Sequence, residues 1–137
     1  MIARIELEVP FHDVDSLGVV WHGHYFKYLE IARTRLFRDL GIDRAYIEAR
    51  GWGFLVTESR CRHVFPLRYG DRATVSVWAL DLDHRVHLAY EVRNETHDRR
   101  AARARTVLVT IDRTGAMLLR TPDELADKLR PACAPDA

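Results

Sequence analysis

Alternate positions are apolar from residue 5 to residue 11. Ile5, Leu7, Val9 and Phe11 fall on one face, and Glu6, Glu8 and Pro10 on the other. A period of two predicts a strand with one buried face. The pattern breaks over residues 12–23, where Asp13, Asp15, Ser16, Gly18 and Gly23 mark a loop that also carries Val19, Val20 and Trp21. Apolar and polar residues mixed in this way predict a partly buried loop. The period then changes. Tyr25, Tyr28, Leu29, Ala32, Leu36 and Leu40 recur at helical spacing, with Lys27, Glu30, Arg33 and Arg38 mostly elsewhere on the wheel. This predicts an amphipathic helix of four to five turns, with Arg38 in its last turn and Gly41 as its stop. A short second helix is expected over residues 43–50.

From Gly53 onward the period returns to two. Residues 54–65, 73–81, 85–95 and 102–112 read as strands, clearest at Val86, Leu88, Tyr90 and Val92. Short breaks between them predict antiparallel neighbours. A short strand is expected at Met117–Leu119. Thr121, Pro122 and Glu124 then spell an N-cap, a first-turn proline and a capping-box acid before a brief final helix. The chain from Pro131 is expected to fray. Strand, loop, long helix and a run of antiparallel strands make an α+β plan in which one sheet buries one helix. A sheet curled around a central helix fits the element count. Its other face would be left largely bare, which favours oligomerisation.

Composition narrows the function. The 137 residues carry 21 basic and 20 acidic side chains, a net charge of +1. That balance is unlike a general nucleic-acid binder. No apolar run approaches the length of a membrane span, and the first residues show neither a long apolar core nor a cleavage signal. Cys61 and Cys133, one in a strand-like run and one in a Pro/Ala-rich tail, do not suggest a disulfide framework. The expectation is one cytoplasmic domain over residues 1–130, followed by a tail at 131–137.

Reactive side chains concentrate in one place. His12, Asp13, Asp15, His22 and His24 lie just before the long helix. Within this stretch Asp13 and Asp15 are two apart, Gly18 follows three later, then Val20-Trp21, and Tyr25 comes four residues after the tryptophan. With Phe11-His12-Asp13 before it and Tyr28-Leu29-Glu30-Ile31-Ala32-Arg33 after it, the segment resembles the hot-dog thioesterases of the 4-hydroxybenzoyl-CoA and short-chain acyl-CoA type. The resemblance extends through the strand order and is weakest after Gly115.

The resemblance implies a hot-dog fold, an antiparallel sheet wrapped around a long central helix, in a homo-oligomer (dimer or tetramer). It implies hydrolysis of an acyl-CoA or acyl-carrier-protein thioester with no cofactor or metal. Asp15 would be the nucleophile or general base, and the backbone N–H of His22 would polarise the carbonyl. A thioester carbonyl is electrophilic, so one carboxylate and an oxyanion site suffice. Gly18 would allow a tight turn, and Val19, Val20 and Trp21 would keep water scarce. Tyr25 and Tyr28 would serve as helix core or pocket wall. The resemblance places the nucleotide of CoA on basic surface residues, for which His84, Arg85, Arg60 and Arg62 are candidates.

Other readings stay open at this point. Asp15 can be read as a loop or cap residue, and Asp13 as a structural acceptor of loop N–H groups. The imidazole of His22 can itself assist, or its backbone alone. Glu30 on the long helix and Glu58 in the following strand are further acids. His12, His22 and His24 with the two aspartates could ligate a metal, although they lack the i, i+4 spacing of a helical pair. A non-catalytic acyl-thioester-binding module and a hot-dog dehydratase complete the alternatives.

Overall fold

The periodicities resolve into one five-stranded sheet with the long helix across it. The computed structural model describes residues 2–136. β1 (Ala3–Glu8) leads through the loop to α1 (His24–Asp39) and α2 (Arg44–Arg50). β2 (Gly53–His63), β3 (Arg72–Asp81), β4 (Val86–Asn94) and β5 (Arg99–Ile111) follow, and α3 (Asp123–Leu129) comes last. The spatial order is β1-β3-β4-β5-β2, with every paired neighbour antiparallel. This is the hot-dog arrangement. Among the described residues no helix is long and apolar enough to cross a membrane.

Alternation along the strands turns Ile5, Val75, Val77, Leu88, Tyr90, Val92 and Leu108 toward α1, which answers with Tyr25, Tyr28, Leu29, Ala32 and Leu36. Ala73, Ala79, Ala102 and Ala104 are small enough to let the helix approach the sheet. Leu36 is fully buried. Truncating it to Ala removes transfer energy and leaves a cavity, a cost of about 2–5 kcal/mol. α1 ends as its sequence suggests: Gly41 takes a left-handed φ of 77° and its N–H reaches Arg38 O at 3.1 Å.

Several expectations are corrected. β1 stops at Glu8, because Pro10 has no N–H to continue a ladder and the chain enters a 3₁₀ turn at Phe11–Asp13. Phe11 is therefore 72% exposed, off the buried face expected for it, with its ring edge-on to Tyr69. The strand at Met117–Leu119 shrinks to a single bridge between Ile111 and Met117. The capping box does not form. Pro122 takes the cap position, Thr121 donates its N–H to Asp83 O, and Glu124 is drawn to Arg50 at 2.6 Å.

The outer sheet face is also less bare than expected. Trp78 and Val109 on that face are buried. Where the sequence suggests fraying from Pro131, a 3₁₀ turn (Arg130–Ala132) buries Ala132, Cys133 bridges to Ala79, and Asp136 pairs with Arg103 and Arg105. Exposure concentrates instead on β2, an edge strand whose residues 55–60 are open to solvent.

Candidate active site

The loop between β1 and α1 is held by a small set of backbone bonds. Asp15 N donates to Val19 O and Gly18 N to Asp15 O, both at 2.9 Å. Val14 bridges to Val20, and Val20 N reaches Leu67 O at 2.8 Å. Gly18 has φ +78°, a conformation that side-chain-bearing residues rarely adopt, so the turn after Asp15 closes on a glycine. Asp15 Oδ1 accepts from Leu17 N at 2.9 Å. Among the described residues no cation pairs with this half-buried carboxylate.

Asp13 plays a different part. It is 1% exposed, and its carboxylate accepts from Tyr28 OH at 2.6 Å and Lys27 Nζ at 2.7 Å. His12 and His24 each stand 3.8 Å from its Oδ1. The structural role expected for Asp13 holds, but its side-chain partners are helix side chains rather than loop N–H groups. Burial pushes this carboxyl up, and the Lys27 and Tyr28 hydrogen bonds, with the charges of Lys27 and His24, outweigh it and hold the carboxyl below its ordinary value. Burial, then the same contact with Asp13, push the Tyr28 phenol up. The pair ties the loop to the first turn of α1.

At the helix entry Trp21 N donates to Asp13 O, His24 N to Trp21 O, and Tyr25 N to His22 O. The N–H groups of His22 and Gly23 donate to no protein group among the described residues. They stand at the positive end of a 16-residue helix. A Cβ on Gly23 would strike the Trp21 ring, which lies across it. Glycine is needed here for close approach, since the backbone itself is in an ordinary helical conformation.

A cleft of about 360 Å³ brings Asp15 of the loop together with His22 of the helix entry. Asp15, His22 and His63 supply its polar groups, and Leu17, Val19, Tyr25 and Phe65 are among its apolar walls. Tyr25 is buried, and burial, then the neighbouring Cys61 thiol, raise its phenol to about 12 against a smaller opposing effect of the Leu67 backbone. Asp15, Val19, His22 and Tyr25, named from the sequence, thus converge. Trp21 does not line the cleft; it is 47% exposed and packs on Gly23, His22 and His24. Glu30 and Glu58 are exposed, on α1 and β2.

The remaining candidates lie elsewhere. Arg60 and Arg62 sit on the outer sheet face, directly opposite Arg105 and Arg103 of β5. The four arginines and Asp136 line a second cleft of about 500 Å³. His84 and Arg85 are exposed in the β3–β4 turn, where His84 stands 3.6 Å from Asp83. His12 and His24 face Asp13 while His22 lines the Asp15 cleft, so the three histidines do not converge. Among the described residues no group of three His, Cys, Asp or Glu side chains is placed to hold a metal ion.

Sequence reading missed His63. It ends β2, lines the cleft, and packs its ring 4.5 Å from Tyr25. Alternation with Cys61 puts it on the inner face, but only the folded topology brings that end of β2 to the loop.

Comparison with known proteins agrees with this fold. Residues 9–129 match the thioesterase-like superfamily, and the chain belongs to it. It is 32% identical over 116 residues to the 1,4-dihydroxy-2-naphthoyl-CoA hydrolase of Thermosynechococcus vestitus, covering 83% of this chain and 73% of that one. YneP of Bacillus subtilis is 32% identical over 80 residues, 58% of each chain, so the chain spans little more than half of that relative. The crystal structure of a DHNA-CoA thioesterase from Staphylococcus aureus superposes with a TM-score of 0.79 at 26% identity, over 86% of this chain and 80% of that one.

Proposed function

We propose that the protein is a thioesterase that hydrolyses acyl-CoA to the free acid and CoA. The observation that carries this reading is the placement of a carboxylate, Asp15, in one cleft with the residue whose N–H is unpaired, His22. Asp15 acts as general base, taking a proton from water that attacks the thioester carbonyl. The N–H groups of His22 and Gly23 receive the charge that develops on the carbonyl oxygen. Because they are fixed by the helix start, they need little reorganisation during the reaction. The relatives named for hydrolysis of an aromatic CoA thioester support the same chemistry. A cleft of about 360 Å³ suits a compact acyl group, short or ring-bearing, better than a long chain.

The arginines opposite one another on the outer face take the phosphates of CoA. Like charges directly paired across strands oppose each other unless a counter-anion lies between them. Asp136 supplies one carboxylate to Arg103 and Arg105, while Arg60 and Arg62 have no acidic partner among the described residues. An acyl carrier protein presents the same phosphopantetheine arm without the nucleotide, so the cluster favours CoA as carrier. The active form is a homo-oligomer, at least a dimer, built on the exposed edge strand β2.

Thiol release tests the reading across short, aromatic and long acyl-CoAs, with Asp15→Asn beside the native chain. Hydrolysis of compact acyl-CoAs, abolished in the variant, is expected. No thiol release from any of them overturns the proposal. Incorporation of ¹⁸O from labelled water into Asp15 during turnover would replace the general base by a covalent nucleophile.

A further inference from the structure

β2 closes on His63 with its side chain on the sheet face that looks toward α1. The ring lies 4.5 Å from that of Tyr25 and 6.4 Å from that of His22, in the cleft that holds Asp15. Its other neighbour is Cys61, two residues earlier on the same face, with Sγ 3.8 Å from Nδ1. Burial pushes the Cys61 thiol up to about 11, so the sulfur keeps its proton at neutral pH. With the thiol as donor to Nδ1, the imidazole carries its hydrogen on Nε2. Nε2 is across the ring from Nδ1, on the side away from Cys61. Of the other residues that line the cleft next to it, Val64, Phe65 and Pro66 offer no side-chain donor, and Val64 and Pro66, like His63 itself, are exposed.

We infer that His63 is a further catalytic residue of this site, donating a hydrogen bond from Nε2 to the substrate sulfur as the carbon–sulfur bond breaks. The assignment rests on the thioesterase reading above. Water gives one proton to Asp15 while its oxygen bonds to the carbonyl carbon. The resulting oxyanion accepts from His22 and Gly23. On collapse the carbonyl re-forms, and the carbon–sulfur electron pair leaves with the sulfur. The departing thiolate accepts from His63 Nε2–H, and the proton it finally takes is the one Asp15 removed from water. His63 keeps its own proton. Without this donor the departing thiolate would be met by solvent alone at the cleft mouth, where His63, Val64 and Pro66 stand exposed.

The test compares two thioesters of one acyl group, one of CoA and one of 4-nitrothiophenol. The nitroaryl thiolate is stable without a donor; the alkyl thiolate of CoA is not. His63→Phe keeps a ring against Tyr25 but removes the donor, and His63→Gln restores an N–H. His63→Phe is expected to lower kcat for the CoA thioester about tenfold, the scale of one hydrogen bond to a charged group. Its effect on the nitrothiophenyl ester is expected to be under about twofold, and His63→Gln to regain most of the CoA activity. Equal losses on both esters in Phe and Gln variants alike would reduce His63 to a structural role and overturn the assignment. Turnover unchanged in His63→Phe would overturn it too, leaving the thioesterase reading intact. A native protein that cleaves neither ester would overturn both.

Discussion

The hydroxyl of Tyr28, on the first turns of α1, donates to the buried carboxylate of Asp13 at 2.6 Å. This bond fixes the loop that carries Asp15 against the helix whose start supplies the free N–H groups. A buried carboxylate that loses a partner keeps its desolvation cost. Tyr28→Phe is therefore expected to lower stability by about 1.5–3 kcal/mol, read by chemical denaturation. Asp13 also sets a pH dependence. Its folded value lies below the ordinary 3.8, so its contribution is present above about 3.8 and is lost as pH falls through the folded value. Acid titration of stability should show this loss in the native chain and not in Asp13→Asn.

Asp15 is expected to behave in the opposite way. Its Oδ1 accepts from Leu17 N, a contact an asparagine can keep. Asp15→Asn should melt within a few degrees of the native protein yet lose at least about a hundredfold in kcat, the lower range for a general base. Circular dichroism melts and thiol release on the same samples check both halves. Native-like kcat in a well-folded variant would move the base to another acid, Glu30 first.

Both residues show what a sequence can and cannot carry. The turn was legible because Asp15 and Gly18 have local jobs: one side chain bonds two residues ahead, and one backbone takes a positive φ. The helix and four long strands were legible because each period matches one buried face. Phe11 was misplaced because alternation says nothing of the missing N–H at Pro10, the residue before it. Thr121 and Glu124 matched a cap locally, but Asp83 and Arg50 from distant segments compete for them. His63 and the Lys27–Asp13 contact were invisible for the same reason: each depends on which ends of which elements meet.

The edge strand gives a third prediction. Leu55 and Val56 are exposed on opposite faces of β2, whose outer edge has no strand beside it. A long exposed edge of this kind is a template for a second copy. Sedimentation velocity should find at least a dimer at micromolar concentration. Leu55→Glu, which places like charges near each other across a two-fold contact, should shift the population toward monomer and lower activity with it. A native monomer, or a monomeric variant of full activity, would separate the site from any partner.

The last prediction concerns Gly23 and Trp21. The indole lies where a Cβ on residue 23 would be, closer than real side-chain contacts allow. Gly23→Ala must therefore displace either the ring or the backbone at the start of α1. The ring is 47% exposed and can swing toward solvent, but doing so breaks its packing edge-on against His24 and beside His22 at the helix start. If the backbone moves, the N–H groups of His22 and Gly23 shift away from the carbonyl oxygen they serve. Misplaced donors of this type cost about a hundredfold in kcat. Substrate affinity should change less, because the cleft walls at Val19 and Tyr25 are untouched. Adding Trp21→Ala removes the obstruction, so the double variant should recover activity relative to Gly23→Ala alone. A steric account requires that recovery. If kcat stays low in the double variant, the glycine acts through chain flexibility instead, and hydrogen exchange at His24 and Tyr25 would then differ from the native pattern.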